Sequence, residues 1–223
     1  MGIDSVVVDV DGTLVDSSYE HIVAWSRAFG AVGVRVEAWR LHRLMGMGGD
    51  RLVEAAAGPA VEKAVGDQVR EHWRREYGEL FADVRPFDGA VELLEALRCH
   101  GLQVVLATSG HPDHTARTLD ILELSPDAFA IATSGEVDST KPSSDLVEVA
   151  MEKVGGRHGL VLGDTAWDVE AAERAGMPTV ALLTGGIAPE RLHEAGALAV
   201  YDDPRALIGD LDGALALAQK SVD

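Results

Sequence analysis

Beyond Arg85-Pro86 the chain alternates short apolar runs with segments of helical period, and that order leaves few folds open. Strands are expected at Leu102–Ala107, Phe129–Ala132, Leu160–Leu162, Thr179–Leu182 and Leu198–Tyr201. Helices are expected at Gly89–Cys99, Asp113–Leu122, Ser144–Lys153, Trp167–Ala175, near Glu190 and at Arg205–Gln219. Repeated strand–helix–strand units imply parallel strands with right-handed crossovers, hence an α/β fold built on a doubly wound parallel sheet. Val6-Val7-Val8 has the β-branched character of a strand covered on both faces and belongs to the same sheet. Nothing from Asp16 to Val84 alternates like a strand. Helices there are expected at Tyr19–Ala31, Glu37–Arg43, Arg51–Ala57 and Ala60–Leu80, with Ser17 or Ser18 as an N-cap. The expected organisation is therefore a core of residues 1–15 and 85–223 with a helical cap domain inserted at 16–84.

Charge supports that division. The 223 residues carry a formal net charge of −18. The 16–84 tract holds 11 acidic and 9 basic side chains, a net of −2, so the remaining segments carry −16. Three of the four tryptophans, Trp25, Trp39 and Trp73, also lie in that tract. A nearly neutral, aromatic helical block over an acidic sheet domain suits a lid. So acidic a surface repels polyanions, which argues against nucleic acid and anionic membranes as partners. With one cysteine, Cys99, no internal disulfide is possible, and a reducing, cytoplasmic location is expected. No membrane-length apolar run and no basic leader is read from the sequence.

Chemistry is expected where strands end. In open parallel sheets, ligands bind outside the carboxyl ends of the strands, where the strand order switches. The first strand runs into Asp9-Val10-Asp11-Gly12-Thr13. Two carboxylates two residues apart point the same way in extended backbone, and they repel unless a cation or a proton intervenes. A solvated Asp-Gly turn explains Asp11 but not Asp9 at the tip of an apolar strand. The strand Leu102–Ala107 runs into Thr108-Ser109-Gly110, whose hydroxyls and backbone N–H groups suit a phosphate. Lys141 stands before Pro142 and a helix start, in a chain with four lysines and fifteen arginines. Leu160–Leu162 ends in Gly163-Asp164, with Asp168 four residues on and one helical turn away. Asp164 is also a good N-cap residue, and Asp168 suits the helix dipole. The ordered set Asp/Asp, Thr/Ser, Lys, Asp/Asp is hard to explain as packing.

With these four stations the chain resembles the haloacid dehalogenase superfamily, in the phosphoglycolate phosphatase and β-phosphoglucomutase branch with a helical cap. Its motifs resemble Asp9-x-Asp11-Gly12-Thr13, Thr108, Lys141-Pro142 and Gly163-Asp164-x-x-x-Asp168 of this chain, and the resemblance extends over nearly all of it. It implies a Rossmann-like core and a Mg2+-dependent phosphatase acting on a small phosphorylated metabolite. It further implies Asp9 as nucleophile and Asp11 as general acid/base. Thr108, Ser109 and Lys141 would hold the phosphoryl group. The metal would lie on Asp9, Asp164, the main-chain carbonyl of Asp11, and Asp168 as ligand or outer partner. In the cap, the resemblance points to His21 near the hinge and to the loop Met45–Arg51. Gly48 and Arg51 are the substrate-facing candidates there.

Departures from the family pattern narrow the reading. Asp11 argues against a dehalogenase, which needs no proton donor there. Lys63, the one lysine in the cap, is expected on a solvated helix and argues against a phosphonate hydrolase. Ser143-Ser144-Asp145 replaces a second proline after Lys141, and Gly110-His111 replaces a frequent lysine. An arginine at Arg51, not nearer Gly49, weakens the alternative of a sugar-phosphate mutase. A regulatory module without catalysis conflicts with the complete set of carboxylates. His111 and His114 are assigned to a helix start, and a monomer or homodimer is expected.

Overall fold

The computed structural model describes residues 2–125, 127–137 and 139–222. Strand β1 (Ser5–Asp9) is followed by the two-residue β2 (Val15–Asp16). Four helices come next: α1 (Ser18–Ala31), α2 (Ala38–His42), α3 (Gly49–Ala57) and α4 (Pro59–Leu80). β3 (Arg85–Pro86) then returns antiparallel to β2. The β–α alternation continues with α5 (Ala90–Cys99), β4 (Gln103–Thr108), α6 (Pro112–Ile121), β5 (Ala130–Thr133) and α7 (Asp145–Val154). It ends with β6 (Gly159–Gly163), α8 (Ala166–Arg174), β7 (Thr179–Leu182), α9 (Pro189–Ala195), β8 (Ala199–Tyr201), α10 (Pro204–Gly209) and α11 (Leu211–Val222).

Six strands form one parallel sheet in the order β5-β4-β1-β6-β7-β8, a Rossmann-like α/β fold. β1 is central, paired with β4 on one side and β6 on the other. The chain fills one side first and then crosses to the other, so the switch in strand order falls between β1 and β6. Strand side chains alternate in facing. Val6 and Val8 join a core with Leu93, Leu106 and Leu162, while Val7 joins Val105, Leu146 and Val161 on the opposite face. The cap helices have a core of their own, including Trp25, Phe29, Leu41, Leu52 and Val69. Ala24 and Tyr77 of α1 and α4 belong instead to the sheet's core, so these two helices seat the cap on the sheet. Among the described residues, no helix is long and apolar enough to cross a membrane.

Two expectations need correction. The helix expected at Arg205–Gln219 is two, because Asp210 leaves helical backbone (φ −131, ψ 29) and accepts a bond from the Tyr201 hydroxyl (2.8 Å). The β2–β3 pair at the foot of the cap escaped notice, since two residues carry no readable period.

Candidate active site

Four buried charges converge at the carboxyl end of the sheet. Asp9 closes β1, Asp164 follows β6, Asp168 lies in the first turn of α8, and Lys141 precedes α7. All four are at most 6% exposed. Lys141 Nζ bonds Asp9 Oδ1 and lies 2.6 Å from Asp168 Oδ1. Thr13 Oγ1 is within donating distance of both Asp9 Oδ2 (3.1 Å) and Asp164 Oδ1 (2.9 Å). Asp168 also closes a capping box, accepting from Thr165 N (3.0 Å) and Thr165 Oγ1 (2.6 Å). Thr165 is thus the N-cap of α8, and Asp164 is spared that task.

The donor set fits a divalent cation. Asp9, Asp164 and Asp168 each offer an oxygen, all within 4.8 Å of one another. Three carboxylates face one ammonium in this buried site, so their full ionisation calls for further positive charge. Asp164 Oδ2 is buried with no hydrogen-bond partner. Space beside it is kept by glycine: a Cβ on Gly185 would lie 1.9 Å from that oxygen, and one on Gly12 2.3 Å. Gly12 also has φ +85, a conformation that favours glycine. Burial pushes Asp9 up to about 7, with Lys141 opposing and Asp168 adding to the rise. Burial likewise raises Asp164 well above the usual carboxylate range, with Asp9 and Asp168 adding. A hard, oxygen-seeking ion such as Mg2+ suits this arrangement.

Asp11 lies apart from that cluster. The chain leaves β1 at Asp9 and turns, with Leu14 N (2.9 Å) and Val15 N (3.2 Å) bonding Val10 O. The Asp11 carboxylate accepts from Ser17 Oγ (3.0 Å) and Thr108 Oγ1 (3.0 Å) and lies 3.3 Å from His21 Nε2. The two aspartates therefore do not face each other as extended backbone would have them. Burial favours the neutral acid, but hydrogen bonds and charge from His21, with Ser17 and Thr108, outweigh it and hold Asp11 at about 2. Only main-chain atoms of Asp11 remain for the metal-side role expected of it.

Residues 3–176 match the sequence profile of the haloacid dehalogenase-like hydrolases. The chain belongs to that family. The hydrolase is 29% identical over 220 residues to N-acetylmuramic acid 6-phosphate phosphatase of Pseudomonas aeruginosa, covering 96% of this chain and 97% of the relative. It is 29% identical over 215 residues to phosphoglycolate phosphatase of Caulobacter vibrioides, covering 92% and 90%. A hydrolase of known structure from Pseudomonas syringae superposes with a TM-score of 0.90 at 36% identity, covering 94% and 98%. The hydrolase is an enzyme of the phosphatase type.

The remaining expected residues fall in three places. Ser109 lines a cleft above Asp9, Asp11 and Lys141, its Oγ buried and without a hydrogen-bond partner among the described residues. Thr108 serves Asp11 and accepts from Gly110 N (2.9 Å), so its hydroxyl is already engaged. Gly48 and Arg51 do not line the cleft. Gly48 packs on Thr140, whose Oγ1 a Cβ would meet at 1.7 Å, and Arg51 Nη2 donates to Ser139 Oγ (2.5 Å). The cap loop is pinned to the core here because Asp50 accepts from Thr140, which draws Arg51 outward. His111 caps α6, accepting from Asp113 N (3.3 Å), whereas His114 is buried against Trp73, Tyr77 and Phe81. Lys63 is exposed on α4.

Sequence reasoning passed over Ser17, Thr13 as a bridge, and the pair Trp73 and Tyr77. Of the two expected caps, Ser17 and Ser18, Ser17 holds the N-cap position of α1, but its hydroxyl donates to Asp11 (3.0 Å). Trp73 and Tyr77 are four apart on α4, so they share a helix face. His21 stacks on Tyr77 with ring centroids 3.8 Å apart. That spacing was the available signal.

Proposed function

We propose that this hydrolase is a Mg2+-dependent phosphatase that cleaves a small phosphate monoester through an aspartyl-phosphate on Asp9. The observation that carries this reading is the buried Asp9–Lys141–Asp168–Asp164 cluster at the switch point, in which three carboxylates face one ammonium. Asp9, Asp164 and Asp168 would hold Mg2+, together with the Asp11 carbonyl. When bound, the ion neutralises the carboxylates and the ester's charge. A carboxylate oxygen of Asp9 would attack phosphorus as the bond from phosphorus to the departing alcohol oxygen breaks. Lys141 draws an anionic ester toward an anionic nucleophile. Ser109 offers its unpartnered hydroxyl to the phosphoryl oxygens.

Asp11 is placed to carry the proton. Its carboxylate faces the cleft with His21 Nε2 3.3 Å away, so a proton shared between the two would reach the departing oxygen through Asp11. The deprotonated carboxylate then takes a proton from the water that opens the acyl phosphate. We read residues 16–84 as the cap that closes over the ester and excludes water during transfer. Relatives acting on phosphoglycolate and on a sugar phosphate support a small phosphorylated metabolite as substrate.

The test is the Asp9→Asn variant. Phosphate release from a panel of monoesters with Mg2+ should fall by roughly three orders of magnitude or more, with the melting transition retained. Normal turnover by that variant removes Asp9 as the nucleophile.

A further inference from the structure

Ser17, Thr108 and His21 surround the Asp11 carboxylate, and of the three only His21 does so with a ring that can swivel. Torsion about the bond to an imidazole is broad and roughly two-fold, so rotamer preference alone does not fix its plane. Among the described residues, Asp11 is the one hydrogen-bond partner of the His21 side chain (3.3 Å). A single bond leaves the ring free to turn about the line that joins the two.

Tyr77 removes that freedom. Its ring lies face to face with the imidazole, centroids 3.8 Å apart and planes 13° from parallel. At this distance a tilt of the imidazole drives ring atoms into ring atoms. The phenol ring is itself fixed. It is 1% exposed, and Phe81 (5.8 Å) and His114 (4.8 Å) meet it nearly at right angles. Trp73, one turn earlier on α4, stacks beside the pair, 5.8 Å from Tyr77 and 5.6 Å from His21. His21 and Asp11 line the cleft and Tyr77 does not, so Tyr77 acts on the site through its neighbours.

The charge distribution agrees. Burial, with the charge of Asp11 adding, raises the Tyr77 hydroxyl above its ordinary value and keeps the ring a neutral phenol. The face of such a ring is negative and attracts an imidazole that carries a proton.

We propose that Tyr77 is a positioning residue for proton delivery: its ring face sets the plane of His21, which keeps Nε2 on Asp11 and the carboxylate aimed at the departing oxygen. This rests on the phosphatase reading above. In that step an Asp9 oxygen bonds to phosphorus and the bond from phosphorus to the alcohol oxygen breaks. The alcohol oxygen takes one proton from the Asp11–His21 pair. An alkoxide needs this proton to depart and a nitrophenolate does not, so lost aim slows one class of ester.

Kinetics on the whole protein with Mg2+ separate aim from general damage. The aryl ester is 4-nitrophenyl phosphate. The alkyl ester is whichever of glycerol 3-phosphate, phosphoglycolate and glucose 6-phosphate the wild type turns over fastest. The ratio of their kcat/KM values reads the steps up to release of the alcohol, before water opens the acyl phosphate. Tyr77→Met should lower kcat/KM for the alkyl ester about ten-fold more than for the aryl ester, and Tyr77→Phe should keep the wild-type ratio. His21→Gln keeps a donor at similar reach but has no ring to stack, and it should show the same selective loss. That variant decides if Tyr77→Met does not fold. Equal losses on both esters in Tyr77→Met, a selective loss in Tyr77→Phe, or a wild-type ratio in His21→Gln overturns the inference. Wild-type turnover of the aryl ester alone overturns it too and leaves the phosphatase reading standing. Failure to hydrolyse any of these esters overturns the phosphatase reading itself.

Discussion

Lys141 is the one ammonium among three buried carboxylates, and its position sets the electrostatics of the whole site. Burial alone would strip its proton, but Asp168 and Asp9 outweigh that and raise its pKa further. Removing one partner of a buried charge cluster leaves the others uncompensated, at a cost of about 3–5 kcal/mol. Lys141→Met should therefore lower the metal-free unfolding free energy by an amount of that order in a denaturant titration. It should also reduce phosphate release by more than roughly 100-fold, because Lys141 is the cation bonded to Asp9 in the cluster. An unchanged denaturation midpoint would show that the carboxylates do not depend on Lys141. Asp11 behaves differently. Its pKa of about 2 lies below the ordinary value of 3.8, so its contribution is complete above that value and lost only as pH falls through 2.

At the level of elements, α6 meets α4 through His114 and through Arg117, whose Nη1 donates to Gly78 O (3.1 Å). His114 lies edge-on to Tyr77 and Trp73 of α4, with centroids 4.8 and 5.7 Å away. Burial, followed by the charges of His21 and His111 and helped by Arg117, pushes it down to about 4 from 6.5, with Asp11 opposing. The unfolded chain takes up this proton first, so the stabilisation is full above 6.5 and is lost as pH falls toward 4. Metal-free Asp9 and Asp164 run the opposite way, since their folded pKa values are raised. The comparison to make is therefore with His114→Phe. Thermal melts from pH 7 to 4.5 should show wild type losing up to ~3 kcal/mol relative to that variant. Parallel melting curves for the two proteins would rule out His114 as the source.

The start of α3 makes a second element-scale contact with the core. Gly48 sits against Thr140, and Asp50 is bonded to the same residue. A methyl group in Gly48→Ala should push the loop off the 139–141 segment and disturb Lys141 beyond it. Displacements of about 1 Å from reacting groups can cost on the order of 100-fold. The expected result is a fall of roughly 10- to 100-fold in kcat/KM, with faster amide exchange in 139–141. Wild-type exchange and kinetics in this variant would mean that the loop contact is incidental.

For the whole molecule, the decisive quantity is the charge left at the switch point. A cation that binds only the folded protein stabilises it by about 2.7 kcal/mol at one hundred times its Kd. Mg2+ should raise the melting temperature of the metal-free enzyme, and Asp164→Asn should abolish most of the rise. Chelation should end hydrolysis, and added Mg2+ should restore it. Equal melting of wild type and Asp164→Asn across a Mg2+ titration would remove Asp164 from the metal site.

Periodicity alone determined the parallel sheet, the helical tract between its first two long strands, and the residues standing at the strand ends. Buried strands and amphipathic helices write their faces into local sequence. It also placed Asp9 and Asp164 together in prospect, because ligand sites gather at the carboxyl ends of parallel strands, whereas Lys141 joined them through the family resemblance. Only the tertiary structure decided which partner each side chain takes. Lys141 and Asp9 are 132 residues apart, and no local signal pairs them. Asp11 turned from Asp9 toward Ser17, His21 and Thr108 because the turn after β1 redirects its side chain. Arg51 went to Ser139 and Trp73 into the cleft because the cap docks with α3 against the 139–140 segment and α4 over α6. Docking geometry depends on shapes that meet across the chain, and the spacing of residues along one element does not contain them.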